Sequence, residues 1–319
     1  MASRIDWDRQ IGRRLKLRDL HVFLTVAQRG SMAKAAAELG VAQPVVSAVI
    51  AGLEHAVGVR LFDRSPRGVE PTLYGRQLLK GGAAAFDELK QTVKHIEFLA
   101  DPTAGEVKIG CPETISAILP PIFESMSRRY PRIIFHVSDV AAPTLDLPQV
   151  HDRTIDLAVL RVRWPLPAHL DDLSVEELFD DETVVVAGVQ SRWARSRKID
   201  LADLVDAEWI LPPAETTNSI VVMEAFRARG LPLPTVSFVS FSVTLRTNLL
   251  ATGRHLSVMP RSMMMLYARS MGLKVLPIKL AERKWPVVIA VLKNRTLNPV
   301  AQVFIEQLRA GVKTLNTRR

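Results

Sequence analysis

The residue with the most specific chemistry to offer is Gln43, at the head of Gln43-Pro44-Val45-Val46-Ser47. A glutamine amide can donate to and accept from adenine at once. A serine hydroxyl can reach a base or a phosphate, and a valine methyl can lie against a thymine methyl. Arg64 and Arg67 bracket a Ser-Pro step just before Gly68, and guanidiniums on a tight basic turn suit phosphates or a narrow minor groove. Two other runs point to a different chemistry. Cys111-Pro112-Glu113-Thr114-Ile115-Ser116 follows one strand-like run, and Pro212 to Ser219, holding Thr216, Thr217 and Asn218, follows another. At the head of a helix such residues, with the free N–H groups and positive dipole end there, hold carboxylates or other anions. The competing reading of each run by itself is ordinary N-capping.

Catalytic equipment is not visible. No GxGxxG, GxxxxGK[ST], GxSxG or HExxH pattern and no paired-cysteine spacing occurs. His21, His55, His95, His136, His151, His169 and His255 show no ligand spacing, and Asp171-Asp172 and Asp180-Asp181 read as solvated turns in polar connections. The single cysteine, Cys111, excludes an internal disulfide and multi-cysteine metal sites, and lacks the second thiol that redox sensing would use. Neither enzyme activity nor a cofactor or metal is expected.

The elements that must position these residues differ along the chain. The 319 residues are 48% apolar and 24% charged, enough for two or three domains with cores and unlike a disordered tail. No apolar run nears the ~18 residues of a membrane span, and the basic N-terminus has no hydrophobic stretch of a secretory signal. A soluble, cytoplasmic chain with no membrane partner is expected. The net charge of +9 is densest early: residues 1–100 carry fifteen Lys and Arg against ten Asp and Glu. Residues 17–100 read as nearly continuous helix. Ser31 caps a short Ala-rich helix, Gly40 turns the chain, and Pro44 sits in the first turn of a second helix, where its missing N–H costs nothing. Ala36, Gly40, Val46 and Val49 are spaced as two steeply crossing helices require, with Leu20, Phe23, Leu24, Leu39 and Leu53 completing a small core. A generic helical hairpin is the alternative. Residues 60–72 (RLFDRSPRGVEPT) then read as a wing: a short apolar anchor, a basic Pro/Gly turn and a return strand.

From Thr72, a natural N-cap, to Leu99, apolar residues recur at Leu79, Phe86 and Val93, with Leu89 and Ile96 on the matching seam. This is either a dimerising coiled-coil helix or a helix packed on its own domain. Gly81-Gly82 interrupts it as a weak or kinkable point. Past a turn at 101–105, strand-like runs (106–110, 132–138, 155–160, 183–189, 207–211, 235–239, 255–259, 274–278, 287–293) alternate with amphipathic stretches (116–129, 218–229, 242–252, 298–312). That alternation indicates βαβ units and mostly parallel sheets.

The N-terminal segment closely resembles the LysR-type transcriptional regulators. The matching positions are Ser31, Ala35, Ala36 and Leu39; Gln43, Pro44, Ser47, Ile50, Leu53 and Glu54; Gly58, Leu61, Phe62 and Arg64; then Thr72 and Gly75. The likeness continues, more weakly, through the rest of the chain.

The resemblance implies an α/β protein with three parts. These are a winged helix-turn-helix (1–72), a linker and dimerisation helix (73–100) and a two-lobed sensor like the periplasmic binding proteins (101–319). The chain would cross to lobe II near Arg161–Trp164 and return near Arg261–Gly272, leaving lobe I at about 101–161 and 270–319 and lobe II at about 162–269. Its partners would be double-stranded promoter DNA, a small anionic inducer, a second copy or a tetramer of itself, and RNA polymerase. Ser31, Lys34, Gln43, Pro44, Val45, Ser47, Arg64, Arg67 and Thr72 would face DNA. Thr114, Ser116, Thr216, Thr217 and Asn218 would line the inducer cleft, and Leu79, Phe86, Leu89, Val93 and Ile96 would pair two chains. Three departures stand out: Ala48 in place of a common basic contact, Ala42 in place of a capping hydroxyl, and Arg254-His255 where the family has an apolar residue and glycine. Arg254 in particular could add a cation near the cleft. Three rivals remain: a free-standing solute-binding protein, an α/β enzyme with an added DNA-binding domain, and a DNA binder that needs no inducer.

Overall fold

Ser31 caps one of three short helices whose ends follow from local chemistry. The computed structural model describes residues 15–65, 68–140, 147–162, 170–280 and 285–316. In it α1 (Leu17–Arg29) ends at Gly30, and α2 (Met32–Leu39) begins with the Ser31 hydroxyl accepting from Lys34 N and ends at Gly40 in the left-handed region. α3 (Gln43–Val57) carries Pro44 in its first turn, while Ala42 gives it no side-chain cap. Phe23, Val26, Ala35, Val46 and Ile50 are wholly buried where these helices cross, and Leu24, Leu39 and Val49 pack around them.

The wing is β1 (Phe62–Ser65) paired antiparallel with β2 (Gly68–Pro71). Glu54 Oε1 accepts from Leu61 N at 2.8 Å and Phe62 N at 3.3 Å, fixing the wing's root to α3. α4 (Leu73–Ala100) is a single 28-residue helix. Thr72 starts it, its hydroxyl accepting from Gly75 N at 3.0 Å and donating to Arg60 O at 2.8 Å. The chain divides into two units, Met1–Thr92 and Val93–Arg319.

Two of the five seam residues turn inward. Leu79 and Phe86 pack on the core of the first unit, Phe86 with its ring 5.8 Å from His21. Leu89, Val93 and Ile96 are 45%, 51% and 62% exposed. Gly82 is no kink: it is buried inside α4, where a Cβ would come 2.9 Å from Leu20 Cδ1, so it permits close helix packing.

The second unit holds two five-stranded mixed sheets. In the first the order is β4 (Arg132–Ser138), β3 (Ala104–Gly110), β5 (Leu157–Arg161), β12 (Trp285–Leu292), β6 (Leu173–Asp181). In the second it is β11 (Leu273–Val275), β7 (Thr183–Gly188), β10 (His255–Pro260), β8 (Glu208–Leu211), β9 (Thr235–Val239). Expectation and structure part in several places. The sheets are not mostly parallel, because β12 runs antiparallel to both β5 and β6, and β7 runs antiparallel to both β10 and β11. Strand β6 escaped a sequence reading: a register shift in its pairing and outward Glu176 and Glu177 obscure the alternation. Asp180 and Asp181 therefore end a strand, and Asp181 is wholly buried. The stretch 116–129 breaks into α5 (Glu113–Ser116) and α6 (Pro120–Arg129), because prolines 120 and 121 fit only a helix's first turn. β11 stops before Pro277.

The lobe boundaries shift accordingly. β6 belongs to the first sheet and β11 to the second, so the chain crosses to lobe II at 181–183, not near Arg161–Trp164, and returns beyond Leu280, not near Arg261–Gly272. Helix α11 (Pro299–Asn316) buries Val300, Ala301, Phe304 and Leu308 in lobe I, and the shorter α7 (Pro148–His151) also packs there. Lobe II is completed by α8 (Thr217–Ala228), which packs around Trp209 and Phe226, and by α9 (Val243–Ala251) and α10 (Arg261–Tyr267), which pack with Val184, Val186 and Met259.

Candidate functional site

In the first unit, the start of α3 is an exposed polar surface. Gln43, Pro44 and Val45 are exposed, Ser47 is half-buried, and Gln43 Nε2 donates to Ser47 Oγ at 3.1 Å. The i,i+4 spacing thus joins the two polar side chains into one patch. Lys34 on α2 and Arg64 on β1 are exposed too, and Arg67 lies outside the described residues. Ser31 and Thr72 have local tasks, since each hydroxyl caps a helix. Gly68 must be glycine, because its φ is +132° and a Cβ would stand 2.4 Å from Gly30 O. The contact brings the wing's return strand against the end of α1. A short hairpin carrying Arg64 and an exposed helix N-terminus on one small core can address phosphates and base edges respectively.

In the second unit, a cavity of about 380 Å³ lies between the lobes. Thr114, Thr216, Thr217 and Asn218 line it. Ser116 does not: its hydroxyl donates to Glu113 O at 2.8 Å, closing the single turn of α5. Thr216 caps α8, its hydroxyl accepting from Ser219 N. Arg254 also falls elsewhere, 73% exposed on its side chain and facing Glu208 at 3.5 Å. His255 is buried on β10, where Glu208 meets its Nε2 at 3.2 Å.

The cavity's strongest charges were not foreseen. Arg161 is 8% exposed and Arg246 1%. Arg161 Nη1 donates to Asn218 Oδ1 at 2.9 Å, and Nη2 donates to Asp181 O at 3.2 Å and Thr183 Oγ1 at 3.1 Å. Arg246 Nη1 donates to Val258 O at 3.1 Å. In each, Nε is buried without a hydrogen-bond partner. Neither forms an ion pair among the described residues. The carboxylate of Asp181 is occupied by Ser262, whose N–H and hydroxyl it accepts at 3.1 and 2.6 Å. Burial pulls the Arg161 guanidinium below its usual range, opposed by Asp181, and pushes Arg246 down to about 10, opposed by Glu113. Arg246 thus remains a cation at neutral pH, as a guanidinium does in proteins generally. Apolar walls come from Ile115, Val140, Leu160 and Phe241. Two buried cations, hydroxyls at a helix start and apolar walls suit a small organic anion.

A signal for Arg246 did exist in the sequence. Val243, Arg246 and Leu250 share the buried face of α9, so an arginine stands on an apolar stripe. Arg161 similarly ends the wholly buried strand β5.

The family described as "LysR substrate binding domain" matches residues 100–313, and "Bacterial regulatory helix-turn-helix protein, lysR family" matches residues 17–76. The HTH-type transcriptional regulator GbpR of Azospirillum brasilense is 29% identical, the match covering 94% of this chain and 88% of the relative. The transcriptional dual regulator GltC of Bacillus subtilis is 28% identical, covering 92% and 96%. A full-length OxyR variant from Pseudomonas aeruginosa shares the fold with a TM-score of 0.64 at 22% identity, covering 94% of this chain and 95% of that one. Full-length CbnR complexed with its target DNA gives 0.52 at 22%, covering 93% and 100%.

Proposed function

The chain belongs to the LysR family of transcriptional regulators, and on that premise we propose that a small organic anion, held between the two lobes, changes how it acts at its promoter. Base reading falls to Gln43, Pro44, Val45 and Ser47 at the start of α3, and phosphate contacts to Lys34, Arg64 and Arg67. Leu89, Val93 and Ile96, exposed along α4, pair two copies so that two recognition helices meet a two-fold site.

The observation that carries the anion is the pair Arg161 and Arg246: nine-tenths buried or more, lining one cavity, and without an ion-pair partner among the described residues. A buried charge is costly unless compensated, and a ligand carboxylate, phosphate or sulfonate compensates it. Effect on transcription requires that the anion bind two arrangements of the protein unequally. A panel of organic anions and matched neutral analogues, screened by thermal shift and then by footprinting, tests this. The expected hit is anionic, alters the footprint, and binds Arg161→Gln at least tenfold more weakly, as loss of a charge-assisted hydrogen bond of about 1.5–3 kcal/mol implies. A neutral ligand binding both proteins equally would sink the anion reading. Failure of every ligand to alter the footprint would favour a regulator without an inducer.

A further inference from the structure

The mouth of the cleft carries a contact between the lobes that the anion reading leaves unused. Glu113, first residue of α5 in lobe I, accepts through Oε2 from Val243 N at 2.9 Å, and Val243 opens α9 in lobe II. The Ser242 hydroxyl caps the same nine-residue helix, accepting from Leu245 N at 3.2 Å. One turn further on, Arg246 lines the same cavity, 1% exposed, its Nε unpartnered. A helix N–H and, one turn on, a buried guanidinium whose Nε is unpartnered together suit a carboxylate. In this structure Glu113 occupies the N–H alone and forms no ion pair with Arg246.

We propose that the first turn of α9 with Arg246 is a carboxylate subsite of the cleft, held here by Glu113, and that a ligand carboxylate takes it by displacing Glu113. The proposal rests on the reading of the cleft as an organic-anion site and adds how that site is regulated. Glu113 is an internal competitor, so the ligand binds more weakly than the subsite would allow in its absence. Displacement also breaks the Glu113–Val243 tie, while the deeper tie, Arg161 of lobe I to Asn218 and Thr183 of lobe II, involves neither residue. Ligand binding and the arrangement of the lobes are thereby coupled through one hydrogen bond.

Removing the competitor and restoring its carboxylate from solution tests this. Full-length wild type, Glu113→Ala and Glu113→Gln are titrated with sodium acetate against sodium chloride at constant ionic strength. Binding is followed by calorimetry and the Val243 amide by hydrogen exchange. Glu113→Ala should bind acetate at least tenfold more tightly than wild type, and acetate should slow Val243 exchange back toward the wild-type rate. Glu113→Gln, a milder change at an exposed position, should gain severalfold, because a neutral amide competes less well. Adding Arg246→Lys should cancel the gain. Equal or weaker acetate binding by both Glu113 variants, or Val243 exchange indifferent to acetate, would overturn the proposal. Wild-type footprints that still respond to an organic anion would then leave the cleft reading standing. Acetate rescue without any such response would do the reverse.

Discussion

At Arg161 and Arg246, burial separates two roles that arginine plays in this chain. Arg64 is exposed on the wing, where a guanidinium can act through its charge. Arg161 and Arg246 are desolvated, so each remaining hydrogen bond counts for more. A similar division is expected among the residues proposed to face DNA. Arg64→Ala should weaken binding to all sequences alike and reduce the slope of log affinity against log salt by about 0.9, the value of one phosphate contact. Gln43→Ala should relax sequence preference instead, at ~1–3 kcal/mol for a bidentate base contact. Gel-shift titrations on matched and mismatched sites at several salt concentrations separate the two. An unchanged preference after Gln43→Ala would remove that residue from base reading. These exposed side chains were legible in the sequence because their placement depends on one helix start and one tight turn. The buried arginines were legible only in part: Arg246 stands out on an apolar stripe, but the cavity that it and Arg161 line is formed by both lobes.

Helix α4 divides its apolar residues between a packed and an exposed set. Its early apolar residues, Leu79 and Phe86, complete the core of the first unit, while Leu89, Val93, Ile96 and Leu99 remain exposed. Period seven alone cannot say which partner a seam will meet. Ile96→Glu should dissociate an oligomer, read by sedimentation, without lowering the melting temperature of the first unit. An unchanged sedimentation coefficient would refute pairing through this stripe. Near the helix's start, Gly75 gives a case where propensity and packing disagree in sign. Alanine is worth about 1 kcal/mol more than glycine inside a helix. Yet a Cβ at Gly75 would lie 2.1 Å from Leu61 O in the backbone at the wing's root. Gly75→Ala should therefore destabilise the first unit, by ~1–3 kcal/mol as overpacking usually does, in urea unfolding. A stabilised variant would show that the wing root yields.

Across the second unit, acid response gives a check on how the end of α4 is held. Lys94 Nζ donates to Glu106 Oε1 at 2.9 Å, which holds the Glu106 carboxylate below its usual range. A depressed folded-state value means stability present above the ordinary glutamate range and lost as pH falls through the folded one. The melting-temperature gap between wild type and Glu106→Gln should accordingly be widest near neutrality and close on acidification below about pH 4. A gap that persists in acid would assign the effect to packing. Residues 17–72 were readable in sequence down to single caps, since Ser31, Gly40, Pro44 and Thr72 act on the backbone within a few residues of themselves. The second unit was readable as alternating strands and helices, but its sheet directions, the strand β6 and both crossings between lobes were not. Those depend on which distant strand pairs with β12 and β7, and a local pattern carries no record of that choice. The sequence by itself determined a LysR-like winged helix-turn-helix and hydroxyl-bearing helix starts. Only the tertiary structure brought Arg161 and Arg246 to one cavity and set Glu113 on Val243, 130 residues away, because burial and pairing across lobes exist only once the chain has folded.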